Sequence, residues 1–160
     1  MRHTITILVE NEFGVLTRIA GLFSARGYNI ETLNVAPTAD ETVSRLTLVT
    51  IGDEKTVEQI KKQLNKLIPV IKTEDISHMV HLERGLLMLK VVDAGELLKA
   101  AEVSGATIID HETGNYFIAE FTGSPEEVDV FLASIDDEYI IEASRTGPVG
   151  MRRGSKGFVV

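Results

Sequence analysis

Val9-Glu10-Asn11-Glu12-Phe13-Gly14-Val15-Leu16-Thr17-Arg18-Ile19, followed by Gly27-Tyr28-Asn29-Ile30, carries the chain from a strand into a helix and out again. Upstream, Ile5, Ile7 and Val9 alternate as strand residues do. Downstream, Val15, Leu16, Ile19, Ala20, Leu22 and Phe23 fall at helical spacing, and Gly27 ends the run as a C-terminal cap. The turn containing Asn11 and Gly14 opens directly into this helix, whose first backbone N–H groups have no partner within it. Such an end is suited to a carboxylate or another small anion.

Beyond this stretch, Ile30, Leu33 and Val35 are strand-like, Pro37-Thr38-Ala39-Asp40-Glu41 is turn chemistry, and Val43–Ile51 alternates, so the two runs form a hairpin. Gly52-Asp53 leads into a helix with Val57, Ile60, Leu64 and Leu67 on one face, and Val70–Thr73 closes the unit. The order is βαββαβ. It returns downstream: a strand over Leu86–Val92, a short helix over Gly95–Val103, and strands Thr107–His111 and Tyr116–Phe121 around Glu112-Thr113-Gly114-Asn115. A helix then starts at Ser124-Pro125-Glu126-Glu127, with a cap, a proline in the first turn and two acids, before a strand over Tyr139–Ala143. The expected fold class is α+β, two tandem ferredoxin-like units over residues 1–76 and 77–160, joined near Ser77–Glu83.

The 160 residues, 44% apolar and 25% charged, describe a globular chain long enough for one domain or two small ones. No apolar run nears the roughly 18 to 20 residues a membrane span needs, and the strand pattern begins at once, leaving no room for a signal peptide; a cytoplasmic protein is expected. With 0 cysteines, disulfides and thiol chemistry are excluded. Residues 1–75 hold 9 Lys/Arg against 10 Asp/Glu and residues 76–160 hold 7 against 14, so nearly all of the net charge of −8 lies in the second part. An acidic body argues against nucleic-acid binding, which depends on neutralising phosphates. Arg145, Arg152, Arg153 and Lys156 cluster at the end, read either as a dock for an acidic partner or as a solvated tail.

Nothing in the pattern supplies a nucleophile, an acid/base pair or a metal cluster, so a site that holds a small ligand without transforming it is expected, with no catalytic residues. Asn11 suits an ammonium or carboxylate, Gly14 lets a ligand approach the backbone, Val15 and Leu16 offer free N–H groups and an apolar wall, and Asn29 can donate and accept at once. The same residues also read as a helix cap (Asn11) and turn residues (Gly14, Asn29), and residue chemistry leaves both readings open. His78 and His81 share a spacing of three in an extended linker that would aim their rings apart, with no third ligand evident, so no metal site is expected. Asp136-Asp137-Glu138 reads as a solvated turn, and the glycines from Gly147 to Gly154 match no phosphate-loop pattern.

Taken together, Leu8 through Leu16, Gly21 through Leu33 and Val35-Ala36-Pro37-Thr38 closely resemble the regulatory, or small, subunits of acetolactate synthase (acetohydroxyacid synthase). The likeness continues through Ser44-Arg45-Leu46-Thr47, Gln59 through Leu67, Ala143-Ser144-Arg145-Thr146-Gly147 and Arg153-Gly154, and so covers essentially the whole chain. The resemblance implies an N-terminal ACT domain that binds valine or another branched-chain amino acid, a related C-terminal domain, and a homodimer through the ACT domains. It also implies effector contacts at Asn11, Gly14, Val15, Leu16, Asn29 and Ile30, with Asn11 and Asn29 from different protomers. Such a subunit has no activity of its own. It activates a catalytic subunit, on which thiamine diphosphate, magnesium and FAD are expected, and confers feedback inhibition. Two departures from the family pattern are the short helix at Gly95–Val103 and Pro148, where an aliphatic residue is usual. A stand-alone ACT regulator of transcription or metabolism is the alternative, although no helix-turn-helix or basic surface accompanies it.

Overall fold

A computed structural model describes residues 1–160. Nine strands and four helices follow in order: β1 (Arg2–Glu10), α1 (Val15–Ser24), β2 (Thr32–Pro37), β3 (Val43–Ile51), α2 (Glu54–Leu64), β4 (Val70–Asp75), β5 (His81–Val92), α3 (Leu97–Val103), β6 (Thr107–Glu112), β7 (Tyr116–Gly123), α4 (Pro125–Ala133), β8 (Ile140–Arg145) and β9 (Val149–Arg152). Residues 1–82 with 149–160 form one compact unit, and residues 83–148 form another. Each contains the βαββαβ order expected from sequence.

The first unit is an antiparallel sheet in the order β2-β3-β1-β4. Side chains on a strand alternate between faces, so Ile5, Ile7 and Val9 of β1 and Leu46 and Leu48 of β3 share the face covered by Ile19, Leu22 and Phe23 of α1 and Val57, Ile60 and Leu64 of α2. The edge of α1 is set by Gly27, whose φ of +68° allows Gly27 N–H to reach the Ser24 carbonyl and Tyr28 N–H the Phe23 carbonyl. The strand read through Ile30, Leu33 and Val35 starts later, at Thr32; Asn29 and Ile30 lie in the connection. Asp53 caps α2, accepting from Thr56 N–H at 2.7 Å.

The second unit orders its strands β6-β7-β5-β8. Leu87, Leu89, Val91, Phe117 and Ala119 pack under Ala101 of α3 and Val128 and Phe131 of α4. The Phe121 and Phe131 rings stack at 4.6 Å. Ser124 and Glu127 complete a reciprocal cap on α4, as the local sequence indicated. Gly95, at φ +57°, cannot belong to a right-handed helix, and α3 accordingly begins at Leu97. No helix in the chain is long and apolar enough to cross a membrane.

Two expectations are corrected. The strand expected over Leu86–Val92 begins earlier, at His81, inside the junction near Ser77–Glu83. The terminal stretch, read as a loose basic end to the second domain, instead joins the first. Its physical reason lies in β1, where Thr4, Thr6 and Leu8 are buried on the face opposite the helices. The chain returns to cover them. Gly150 lies so close that a Cβ there would sit 2.8 Å from Ile76 Cδ1 and 3.3 Å from Thr4 Cγ2, and its N–H and carbonyl bond to Thr47 Oγ1 and the Arg45 guanidinium. Phe158 packs with Leu8 and Val43, and its ring faces the cations of Arg45 and Lys72 at 5.4 and 5.2 Å. Arg152 pairs with Glu74 at 2.9 Å while donating to the carbonyls of Lys156 and Gly157, so this basic residue is consumed in holding the fold.

Phe158→Ala should therefore lower the unfolding free energy by about 3 kcal/mol, the low end for a buried phenylalanine. Chemical denaturation measures this, and an unchanged midpoint would mean that residues 149–160 do not pack on the sheet.

Candidate functional site

At the end of β1, Asn11 is fixed to the turn that precedes β3. Its N–H donates to the Thr42 carbonyl at 2.7 Å and its side-chain amide to the Glu41 carbonyl at 2.9 Å. Asn11 is thus not the cap of α1. That position belongs to Gly14, at φ +85° and ψ 0°, and no side chain caps the helix. The first bond of the helical ladder runs from Arg18 N–H to the Gly14 carbonyl at 3.0 Å. The preceding amides, of Val15, Leu16 and Thr17, have no acceptor within the helix. They stand at the positive end of its dipole, equivalent to roughly half an elementary charge.

The side chains around this end divide their work. Val15 is buried and anchors the first turn in the core, Leu16 is 42% exposed beside the free amides, and Phe13 is wholly exposed. A Cβ on Gly14 would meet nothing within 4 Å. The glycine is needed here for its backbone angle and for the open space in front of it. The neighbouring hollow is lined by Glu10, Asn11, Glu12, Asp40 and Glu41. Hydrogen bonds from the Thr42 hydroxyl and N–H hold the Asp40 carboxyl below its usual range, so it adds negative charge that suits an ammonium.

Asn29 and Ile30 lie elsewhere. The Asn29 carbonyl accepts from Thr50 Oγ1 at 2.7 Å, its side-chain amide donates to Glu31 at 2.6 Å, and Ile30 packs half-buried against the core. Because Asn11 is tied to Thr42 and Asn29 to Thr50, the length of β3 separates them. Eight residues at about 3.3 Å each amount to roughly 26 Å. One copy of the chain brings Asn11, Gly14, Val15 and Leu16 together at one end of the sheet and sets Asn29 and Ile30 at the other. No small amino acid spans that distance.

An apolar concavity of about 590 Å³ lies on the opposite face of the sheet, lined by Leu8, Ala36, Val43, Arg45, Val149 and Phe158. None of the expected site residues borders it. Of the histidines singled out in the linker, His81 is tied to the Met79 carbonyl at 2.7 Å, and His78 stands instead beside His3 and Glu54. Sequence reading passed over His3. The available signal was a histidine in the core-facing row of β1, a position otherwise filled by Ile5, Ile7 and Val9.

Residues 5–72 match the family described as "AHAS small subunit-like ACT domain", and residues 84–154 match "Small subunit of acetolactate synthase". The chain belongs to the acetolactate synthase small-subunit family. It is 44% identical to the acetolactate synthase isozyme 3 small subunit of Salmonella typhimurium, over 98% of each chain. It is likewise 44% identical to a probable acetolactate synthase small subunit of Archaeoglobus fulgidus, over 98% of this chain and 99% of that one. The crystal structure of the acetolactate synthase small subunit from Thermotoga maritima superposes with a TM-score of 0.89 at 33% identity, covering 98% of this chain and 99% of that one. The small-subunit family and the tandem α+β fold therefore agree with the resemblance read from Gly21 through Pro37.

Gly14→Ala should fold and lose about 1 kcal/mol of stability, because the left-handed backbone disfavours a Cβ even where space is free. Thermal or denaturant melting reads this. An unchanged stability would mean that the turn relaxes out of its positive φ.

Proposed function

We propose that this chain is the regulatory subunit of an acetolactate synthase. It binds valine, or another branched-chain amino acid, across a homodimer of its first units, activates the catalytic subunit and transmits feedback inhibition to it. The observation that carries this reading is the separation of Asn11 from Asn29. Edge strand β2 pairs only with β3, and its other edge is unpaired. It runs from the Asn29 end, where Thr32 opposes Val49, to the Asn11 end, where Pro37 opposes Ser44. Antiparallel pairing of two β2 edges about a twofold axis sets the start of one strand against the end of the other. The Asn29 end of one copy then meets the Asn11 end of its partner, twice per dimer.

The surface that such pairing would cover is apolar. Leu33 and Val35 of β2 share the helix-facing side with Leu46 and Leu48 yet are 37% and 39% exposed, and Leu16 and Phe13 stand open at the start of α1. In the shared site, the free amides of Val15 and Leu16 hold the ligand's carboxylate. The Asn11 region with its acidic neighbours receives the ammonium, and Asn29 and Ile30 of the other copy close over the aliphatic side chain. The thiamine diphosphate, magnesium and FAD chemistry belongs in this reading to the catalytic partner, and this chain acts in the cytoplasm through binding alone.

Inhibition then follows from linkage. A ligand that binds across the interface favours one arrangement of the dimer, and feedback results when the catalytic subunit prefers the other. A coupling of about 1 to 3 kcal/mol corresponds to a 5- to 150-fold change in apparent affinity.

Calorimetry of the purified chain should show saturable valine binding that Gly14→Asp abolishes, since the added carboxylate occupies the space in front of the amides and repels the ligand's own. Undiminished binding by that variant would place the site elsewhere. In assays with the catalytic subunit, Asn29→His should weaken inhibition by valine while largely preserving activation; parallel loss of both would indicate a folding defect.

A further inference from the structure

We infer that His3 and His78, with Glu54 as an additional donor, form a binding site for a divalent transition-metal ion of the zinc class, in which Asp75 orients the His3 ring. A ring nitrogen of His3, a carboxylate oxygen of Asp75 and a ring nitrogen of His78 lie within 4.8 Å of one another. Glu54 approaches His78 Nε2 to 3.8 Å. These residues line one small cavity with Val57, Glu58 and Lys61, whose ammonium is paired with Glu58 at 2.7 Å. They come from the start of β1, the end of β4, the turn before β5 and the first turn of α2.

His3 is the unusual member. It occupies the row of β1 that otherwise feeds the apolar core and is only 1% exposed. Nδ1 lies 3.2 Å from Asp75 Oδ2, but Nε2 is buried with no hydrogen-bond partner. An unmatched polar atom at this depth calls for a physical reason. With Nδ1–H given to Asp75, Nε2 presents a lone pair, the state in which an imidazole ligates metal, and a carboxylate on the other ring nitrogen is the usual support for such a ligand. Asp75 is itself held in place, with Oδ1 accepting from Ser77 N–H at 2.9 Å and from the Ser77 hydroxyl. His78, by contrast, is 54% exposed, on a turn, and free to swing inward.

The donor set selects the ion. Two imidazoles with one carboxylate and no thiolate suit Zn²⁺, Ni²⁺ or Cu²⁺, whereas Mg²⁺ and Ca²⁺ require a shell of oxygens. Zinc–nitrogen bonds of about 2.0 to 2.1 Å need the donors to close in slightly, a movement that the exposed His78 supplies. A bound ion would join segments that are 75 positions apart in the chain, His3 and His78.

The test is titration of the untagged, chelator-treated full chain with Zn²⁺ by calorimetry, with Mg²⁺ as comparison and thermal melting in parallel. The expected result is one saturable Zn²⁺ per chain, no comparable binding of Mg²⁺ and a raised melting temperature. His78→Ala, which removes an exposed side chain and should leave the fold intact by circular dichroism, should weaken binding at least tenfold. His81→Ala should bind as the parent does, and Glu54→Gln should weaken binding severalfold. Absence of saturable binding, or equal affinity in His78→Ala and the parent, would overturn the site. Either result is independent of whether the chain binds valine.

Discussion

The burial of β1 on both faces is the constraint from which the first unit follows. Its odd-numbered row, Ile5, Ile7 and Val9, demands the cover that α1 and α2 provide, and this alone would give an ordinary two-layer unit. Its even-numbered row, Thr4, Thr6 and Leu8, is buried as well, so the opposite face also needs a lid. The chain supplies one from its far end, with Gly150 at the closest approach and Phe158 as the wedge. The first unit is thus completed by residues that follow the second in sequence. Changes in residues 149–160 should be felt in the sheet that carries the Asn11 turn.

Most of the architecture was legible in the chain because its signals are local. Hydrophobic alternation located β1 and β3, spacing located the buried faces of α1 and α2, and Ser124-Pro125-Glu126-Glu127 announced α4 with its cap. What was not legible is what depends on distant partners. Gly147 through Gly154 reads as a flexible stretch when seen alone, since a glycine required for close approach looks the same in sequence as one in a loose tail. Asn11 reads as a helix cap for the same reason. Only the position of the Glu41 carbonyl shows that its amide is committed to the turn before β3.

For the candidate site, the sequence nominates a set of residues and no place. Motif likeness nominated Asn11, Gly14, Val15, Leu16, Asn29 and Ile30 together, yet the nine-residue β3 holds the two groups apart. That separation counts against a site within one copy, and it is what the proposed antiparallel pairing of two β2 edges would resolve. His3 illustrates the converse. It was hidden among strand residues, and three-dimensional packing alone reveals its neighbours Asp75 and His78.

The shared site can be tested by complementation between two defective chains. Asn11→Ala and Asn29→Ala homodimers each lack one half of every site and should bind valine poorly in calorimetry. Unfolded, mixed in equal amounts and refolded, they form heterodimers in which one site has lost both halves and the other retains both. Saturable valine binding should reappear in the mixture at parental affinity, with about one quarter of the parental number of sites if pairing is random. A mixture that binds no better than its two components would contradict a site divided between copies.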